Sequence, residues 1–491
     1  MIRRIAILEP KGERLHLFSR YQLPRLGGVL LATILRDRGY EARAFFLSQR
    51  EILTRELERE ADLIAISSIT ATAPVAYALG DYYRSLGKRV VMGGPHVTFL
   101  SEEALAHADY CILGEGEEPL VKLVEALDRG ESPQNVPGLA WLAEGRLQLN
   151  PAADPLQDLD RLPFPDFTLL DSGGRKLGGP IGRAMVPIQT SRGCPCDCTF
   201  CSVTCMFGRR YRYRSTGNVL AELARYDPRK HYLFFYDDNF TSNPRRAKEL
   251  LEAMIAEGLG FNWVTQVRSD VARDPEMLDL LKEAGCQVLF IGFESVDPGA
   301  LREMRKSQSL EEIERAIVEI RRRRIHVHGM FVFGFDADTP ATTRCTVDFA
   351  LRKRIDSCQF MILTPFPGTA LFQRLKRENR ILDYDWETYD GHHVKFQPRR
   401  FSPWELQKAQ ILAHIRFFRL GRVFRRLLAG SGRAWVIGLY AHVISRRWLH
   451  WEKPYLRRLL GYVTSISRAL REPAPGPWRA PRARGTPSAP R

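Results

Sequence analysis

The first 125 residues alternate short continuous apolar runs with stretches in which apolar positions recur every three or four residues. IAILEP leads into Leu26 to Arg38, ARAFFL into Glu51 to Glu60, LIAISS into Pro74 to Leu86, VVMGG into a short helix, and YCILG into Glu118 to Leu127. Continuous apolar strands need helices over both faces, so this rhythm predicts βαβ units around a parallel sheet, a doubly wound α/β domain spanning 1–130. Residues 131–184 hold Pro133, Pro137, Pro151, Pro155, Pro163, Pro165 and Pro180 with few long apolar runs, and read as a linker that wraps the surface. The βα rhythm resumes near Met185 with VPIQTS, YLFFYDDN, FNWVTQVRSD, VLFIGFES, HGMFVFGF and CQFMILTPF. Helical stretches such as Pro244 to Glu257, Pro275 to Ala284 and Leu310 to Arg323 follow these runs. Six strand-helix units in a row predict a partial (β/α)6 barrel over 185–398, with its chemistry at the carboxyl ends of the strands.

The remainder, 399–471, is predicted to be helical. A single helix from Trp404 to Leu428 would place Phe417, Leu420, Phe424, Leu427 and Leu428 on one side and Arg416, Arg419, Arg422, Arg425 and Arg426 on the other. Trp435, Trp448 and Trp451 continue that pattern among Arg446, Arg447, Arg457 and Arg458. Residues 472–491 are too rich in proline and too poor in apolar side chains to fold, and a disordered tail is predicted there.

Composition sharpens this in two places. At 44% hydrophobic and 26% charged the chain is an ordinary globular one, and uncharged apolar stretches such as Ala434 to Ile444 and Ile325 to Phe335 have 11 residues. That falls short of the roughly 20 a membrane-spanning helix needs. The N-terminus MIRRIAILEP shows no secretory signal pattern, so a cytoplasmic protein is expected. The net charge of +16 is uneven: residues 401–491 hold 18 Lys and Arg against 3 Asp and Glu, while residues 1–400 hold 55 against 54. The basic segment reads either as a helical cap with a solvated face or as a surface that lies against the inner face of a membrane; nucleic acid is not expected.

Three turns follow strands of the first domain: Ser67-Ser68, Gly93-Gly94-Pro95-His96 and Gly114-Glu115-Gly116-Glu117. Each alone is ordinary turn punctuation, but three at the carboxyl ends of one parallel sheet let a large flat or phosphorylated ligand approach the backbone. No G-x-G-x-x-G opens the first helix, which disfavours a dinucleotide.

Of nine cysteines, Cys194, Cys196, Cys198 and Cys201 fall within eight positions, with Cys205 just beyond. Clustering in a reducing compartment points to metal rather than disulfides. Cys194, Cys198 and Cys201 form C-x3-C-x2-C directly after a predicted strand, and soft thiolates at such spacings suit an iron-sulfur cluster held by one loop. Three ligands on a four-iron cube leave one iron open. A structural zinc completed by Cys196 or Cys205 is the alternative, although such sites usually pair separated C-x2-C units.

SRGCPCDCTFC, with Phe200 before the last cysteine, resembles the signature of the radical S-adenosylmethionine (SAM) enzymes. The N-terminal region, through GGPHVT and LGEGEEPL, resembles the Rossmann-like cobalamin-binding domain that precedes the barrel in one large subgroup. Together the two resemblances cover roughly Met1 to Pro398. They imply a [4Fe-4S] cluster on Cys194, Cys198 and Cys201, whose free iron chelates the methionine amino and carboxylate groups of SAM. Asp237-Asp238-Asn239 matches the position that meets the amino group, and Gln266, Arg268, Glu294 and Ser295 match positions for the carboxylate and ribose. Cobalamin falls to Ser67, Ser68, Gly93, Gly94, Pro95, Gly114, Glu115 and Gly116. The D-x-H-x-x-G motif is absent, since neither His16 nor His96 has that spacing, so cobalamin would bind without a protein imidazole on cobalt and His96 reads as a turn histidine. Cys196 reads as a bystander.

The activity implied is C-methylation: a 5'-deoxyadenosyl radical abstracts hydrogen from an unactivated carbon, methylcobalamin donates the methyl, and a second SAM restores it. No general acid or base is assigned. The resemblance further implies a small-molecule or lipid-like substrate and an electron donor such as flavodoxin or ferredoxin. Three alternatives stay open: a radical SAM cyclase or rearranging enzyme, a tRNA methylthiotransferase, and a non-catalytic corrinoid or redox sensor. The tRNA family carries three further N-terminal cysteines where this half of the chain has only Cys111.

Overall fold

In the computed structural model, residues 2–12, 25–174, 182–306, 308–428 and 432–469 are described. Five parallel strands, β1 (Arg4–Leu8), β2 (Glu41–Phe45), β3 (Leu63–Ser67), β4 (Arg89–Gly93) and β5 (Tyr110–Ile112), are ordered β5-β4-β3-β1-β2. Alternate strand residues point to opposite faces, so the sheet carries two cores. Ala6, Ile64, Ile66, Val90 and Met92 pack with Leu79 and Tyr83 on one face. On the other, Ile5, Ile7, Leu63, Ala65 and Val91 pack with Val29, Leu35, Leu123 and Val124. This is the doubly wound domain that the rhythm predicts.

The stretch 131–184 does more than link. β6 (Leu139–Ala143) and β7 (Arg146–Leu149) add antiparallel to β5, and β8 (Leu170–Asp171) adds parallel to β2, completing eight strands. Both sheet edges would otherwise present unpaired backbone, and the proline-rich segment covers them. The predicted helix Glu51 to Glu60 is two short helices, Gln49–Leu53 and Leu57–Glu60, because Glu56 between them takes a left-handed backbone with φ 49°.

The second sheet begins with β9 (Ala184–Ile188), followed by a two-stranded ribbon of β10 (Ser191–Arg192) and β11 (Arg212–Tyr213). It continues with β12 (His231–Phe235), β13 (Trp263–Val267), β14 (Cys286–Glu294), β15 (His326–Phe333) and β16 (Ser357–Ile362). Its six strands are parallel and in sequential order from β9 and β12 to β16, the partial barrel predicted. Helices sit on the outer face; Tyr232, Phe234, Val264, Val288 and Phe290 form a separate apolar lining on the other.

Two helices, Pro403–Phe417 and Leu420–Leu428, replace the single predicted one; the chain breaks at Phe418, with φ -96° and ψ 37°. Phe417 and Val423 are buried while Leu420 and Phe424 are 41% and 50% exposed, so the expected apolar stripe is split between core and surface. The side chains of Leu427 and Leu428, and the expected tail 472–491, lie outside the described residues. The first of these helices closes the open edge of β16: Phe360 N donates to His414 Nε2 at 3.1 Å, and Gln410 Nε2 donates to Phe360 O at 2.7 Å. Buried His393 lies between Asp390, 2.9 Å from Nδ1, and Glu452, 3.2 Å from Nε2, tying the last helices to the barrel.

Candidate active site

The cysteine loop leaves the ribbon at Gly193, whose φ is +92° and whose added Cβ would fall 2.5 Å from Arg210 O. Only glycine fits that turn. Cys194 N donates to Gly208 O, Cys201 N donates to Cys198 O at 3.2 Å, and Leu371 N donates to Thr199 O at 2.9 Å. The loop is thereby held by its own ribbon and by the segment after β16. Phe200 meets Phe335 edge-on at 6.0 Å. Cys194, Cys198 and Cys201 are half-buried and Cys205 is exposed. Burial pushes the Cys201 thiol up to about 12 and raises Cys198, while a hydrogen bond with Cys196 raises Cys194. Cluster assembly on these three must therefore release protons. Among the described residues no three His, Cys, Asp or Glu side chains close on a single ion.

Above this loop lies a cavity of about 330 Å³ between the two sheets. Ile7, Leu30, Ala65, Val91, Ile112 and Leu120 of the first domain form its apolar wall, and Gln189, Arg192, Met206, Phe207, Tyr236 and Asp238 close it from the second. Ser67, Gly93, Gly94, Pro95, Gly114, Glu115 and Gly116 all line it. Gly94, with φ +96°, would put a Cβ 2.5 Å from Ser68 O, whereas a Cβ on Gly114 would meet nothing within 4 Å. Gly94 thus packs tightly on the neighbouring strand end while Gly114 faces open space, and these small turns beside an apolar wall suit the backbone approach of a corrinoid. Ser68 departs from expectation: its side chain is buried outside the lining, on the side of the sheet opposite Ser67. His96 is also absent from the lining; it is fully buried with Nε2 2.9 Å from Tyr77 OH. Glu9 and Arg25, which also line the cavity, were not legible as site residues. Glu9 is buried at the end of β1 and accepts from Gly28 N at 3.2 Å. Burial pushes its carboxyl up to about 7 against the opposing pull of Arg25.

Glu115 lines the cavity, yet its carboxylate is engaged by the second domain. Arg192 Nη1 lies 3.2 Å and Arg212 Nη1 2.9 Å from Glu115 Oε2, and Arg212 Nη2 donates to Oε1. Arg192 Nη2 also donates to Glu117 Oε1 at 2.6 Å. Burial alone would raise the Glu115 carboxyl, but the two guanidinium groups hold it below the ordinary carboxylate value. Its carboxylate is therefore spent on tying the two domains rather than left free for a cofactor. Arg192 and Arg212 carried no motif; only their flanking of the cysteines marked them.

Asp237 departs in the same way. It is fully buried, accepting from Thr190 N at 2.7 Å, Ser191 N at 2.8 Å and the Thr190 hydroxyl, so it fixes the strand ahead of the cysteines. Asp238 instead faces the cavity, open to it rather than packed, and the enclosing protein and then the Asp237 charge raise its carboxyl above the ordinary value. Asn239 is buried with Oδ1 unpaired among the described residues. Arg268 Nη1 donates to Cys196 Sγ at 3.4 Å, and Gln266, two residues earlier on β13, is half-buried. Glu294, at φ 60°, takes Lys306 Nζ at 2.7 Å. Lys306 is a buried cation that spacing did not reveal. Ser295 Oγ accepts from Asp297 N at 3.0 Å, a turn bond.

Residues 188–350 match the model of the radical SAM superfamily and 19–124 that of the B12 binding domain. The chain is 31% identical over 383 residues to bacteriochlorophyllide d C-12(1)-methyltransferase of Chlorobaculum tepidum, covering 76% of this chain and 78% of that one. It is 30% identical to an uncharacterized methyltransferase of Pyrococcus horikoshii, covering 80% and 88%. In fold it is similar to the radical SAM methyltransferase TsrM from Kitasatospora setae, solved with cobalamin and a [4Fe-4S] cluster, with TM-score 0.65, 20% identity and coverage of 77% and 75%.

Proposed function

The chain belongs to the cobalamin-dependent radical SAM methyltransferase family, and on that footing we propose that it methylates an unactivated carbon of an apolar small molecule. The observation that carries this reading is the shared cavity: the turns of the first sheet and Asp238, Arg192 and Gln189 of the second line one space. Cluster and SAM supply a hydrogen-abstracting radical when bound, and cobalamin supplies the methyl group. The chain's own tasks are holding and water exclusion. Cys194, Cys198 and Cys201 would hold the cluster, and Asp238, Asn239, Gln266, Arg268 and, beside its Lys306 partner, Glu294 would meet SAM. Tyr232, Phe234, Val264, Val288 and Phe290 line the inner face of the barrel without a charged group, which supports an apolar substrate. The named relative that acts on a bacteriochlorophyllide supports the same class. A flavodoxin- or ferredoxin-type protein is the electron donor in this reading.

The test uses anaerobically reconstituted protein, hydroxocobalamin, a reductant and methyl-labelled SAM with apolar candidate substrates. Label in the product supports methyl transfer; 5'-deoxyadenosine with an altered but unlabelled product would replace it by the cyclase or rearrangement reading. Failure to cleave SAM at all would leave the sensor.

A specific observation also favours contact with an anionic membrane surface, on the cytoplasmic side. On the helix Gly432–Trp451, Val443, Arg446, Arg447, His450 and Trp451 are exposed, while Ala441, Ile444, Ser445 and Trp448 are buried. Cationic and apolar side chains thus share one outer face, and among the described residues no helix is long and apolar enough to cross a bilayer. Co-sedimentation with phosphatidylglycerol vesicles but not phosphatidylcholine vesicles is expected; sedimentation with neither removes this part of the reading.

A further inference from the structure

Glu115 sits at the middle of the Gly114–Gly116 turn, between two glycines that line the cavity. Its carboxylate crosses to the other domain, where both partners flank the cysteine loop. Arg192 is two residues before Cys194, and Arg212 is its antiparallel register partner in the ribbon from which the loop emerges. The side chains involved are 4% to 9% exposed for Arg212, Arg192 and Glu115, and Glu117 adds a second hold on Arg192 at 15%. Glu115 Oε2 further accepts from Leu156 N at 3.3 Å, which fixes the carboxylate from a third side. A buried pair of guanidiniums on one carboxylate is costly to desolvate, and it confers no stability that well-packed apolar residues could not match. What it adds is geometry: planar, forked donors hold a carboxylate in one orientation, so a shift of either loop is transmitted to the other.

We propose that Glu115 is a positioning residue that couples the two cofactor loops, so that cluster assembly on the cysteine loop and corrinoid binding at the Gly114–Gly116 turn strengthen each other. The inference rests on the cofactor reading above and adds to it a reciprocal dependence between the sites. By linkage, the cluster must tighten corrinoid binding by the same factor as the corrinoid favours the cluster-bearing loop. The tie is made by side chains, not by the cofactors, so removing it leaves each binding surface present and breaks only the dependence.

Hydroxocobalamin affinity is titrated by absorbance, anaerobically, on the full-length chain with its cluster assembled and on the C194A/C198A/C201A variant. The cluster is expected to tighten hydroxocobalamin binding by about fivefold or more, within the usual range of coupling between sites. In E115Q, compared with and without the three cysteines, that ratio is expected to fall to about one. Arg212→Lys should do the same, because an ammonium cannot make the forked contact. Glu117→Gln, which removes only the second hold on Arg192, should keep part of the ratio. A merely structural Glu115 would lower the melting temperature of E115Q and leave the ratio at its wild-type value, which overturns the proposal, as does a wild-type chain that binds both cofactors independently. A wild-type chain that takes up neither would overturn the family reading and this inference together.

Discussion

Trp386 Nε1 donates to Glu103 Oε1 at 2.7 Å, joining residues 283 positions apart in the chain. The contact links a short helix of the first domain to the segment after the barrel's last strand. Beside it, the buried ring of His96 stands edge-on to Trp386 at 5.3 Å. Trp386→Phe keeps the ring packing and removes the bond. Because Glu103 is 40% exposed and regains water, a loss of about 1 kcal/mol is expected, read as a lower urea midpoint with unchanged slope.

His96 is turned into this contact and away from the cavity. Reduced cobalamin bound to the protein should show no nitrogen coupling from a protein imidazole in its paramagnetic resonance spectrum, and His96→Gln should leave that spectrum unchanged. Loss of a nitrogen signal on substitution would place His96 on cobalt.

Cys194→Ala, Cys198→Ala and Cys201→Ala should each abolish the brown chromophore and SAM cleavage after anaerobic reconstitution. Cys196 contacts Arg268 and lies outside the C-x3-C-x2-C set. Cys196→Ala is expected to keep full iron content, measured per chain by chelation; a loss equal to that of its neighbours would make it a ligand.

Gly193→Ala places a methyl group 2.5 Å from Arg210 O on a backbone with φ +92°. Strain of this kind costs about 1–3 kcal/mol. The melting temperature should fall, and the displaced loop should take up less iron than the wild-type loop does. Unchanged values for both would show that the ribbon yields easily.

His393 carries a pH dependence of known sign. Burial lowers its imidazole, but Asp390 and then Glu452 outweigh that and push it up to about 9. The unfolded value is 6.5, so its stabilising contribution is complete below that pH and is lost as pH rises through about 9. The amount is on the order of 3 kcal/mol. Stability measured by denaturant from pH 6 to 10 should decline over that window and flatten in His393→Gln. A wild-type profile that is level across the window would refute the charged pairing.

The doubly wound domain, the six parallel strands and the cysteine loop were legible because each is written in local pattern. Continuous apolar runs between amphipathic stretches mark strands buried on both faces, and C-x3-C-x2-C needs only one loop to form. The single helix from Trp404 to Leu428 that the pattern predicts is divided at Phe418, because periodicity alone does not register such a break. The role of 131–184 as edge strands was invisible for a related reason: what Leu139 and Leu170 pair with is set by the exposed edges of β5 and β2, not by their neighbours in sequence.

What the order of residues determined by itself was therefore the set of elements and the chemistry placed at their ends, since strand period, glycine turns and thiol spacing act over a few positions. Which of those end residues face a cofactor was decided only when the two sheets met. Glu115 and Asp237 have the residue types of binding groups, yet in the folded chain their carboxylates are taken by Arg192, Arg212, Thr190 and Ser191. A buried carboxylate must find donors wherever the fold brings them, and partners tens of residues away are a property of the tertiary structure.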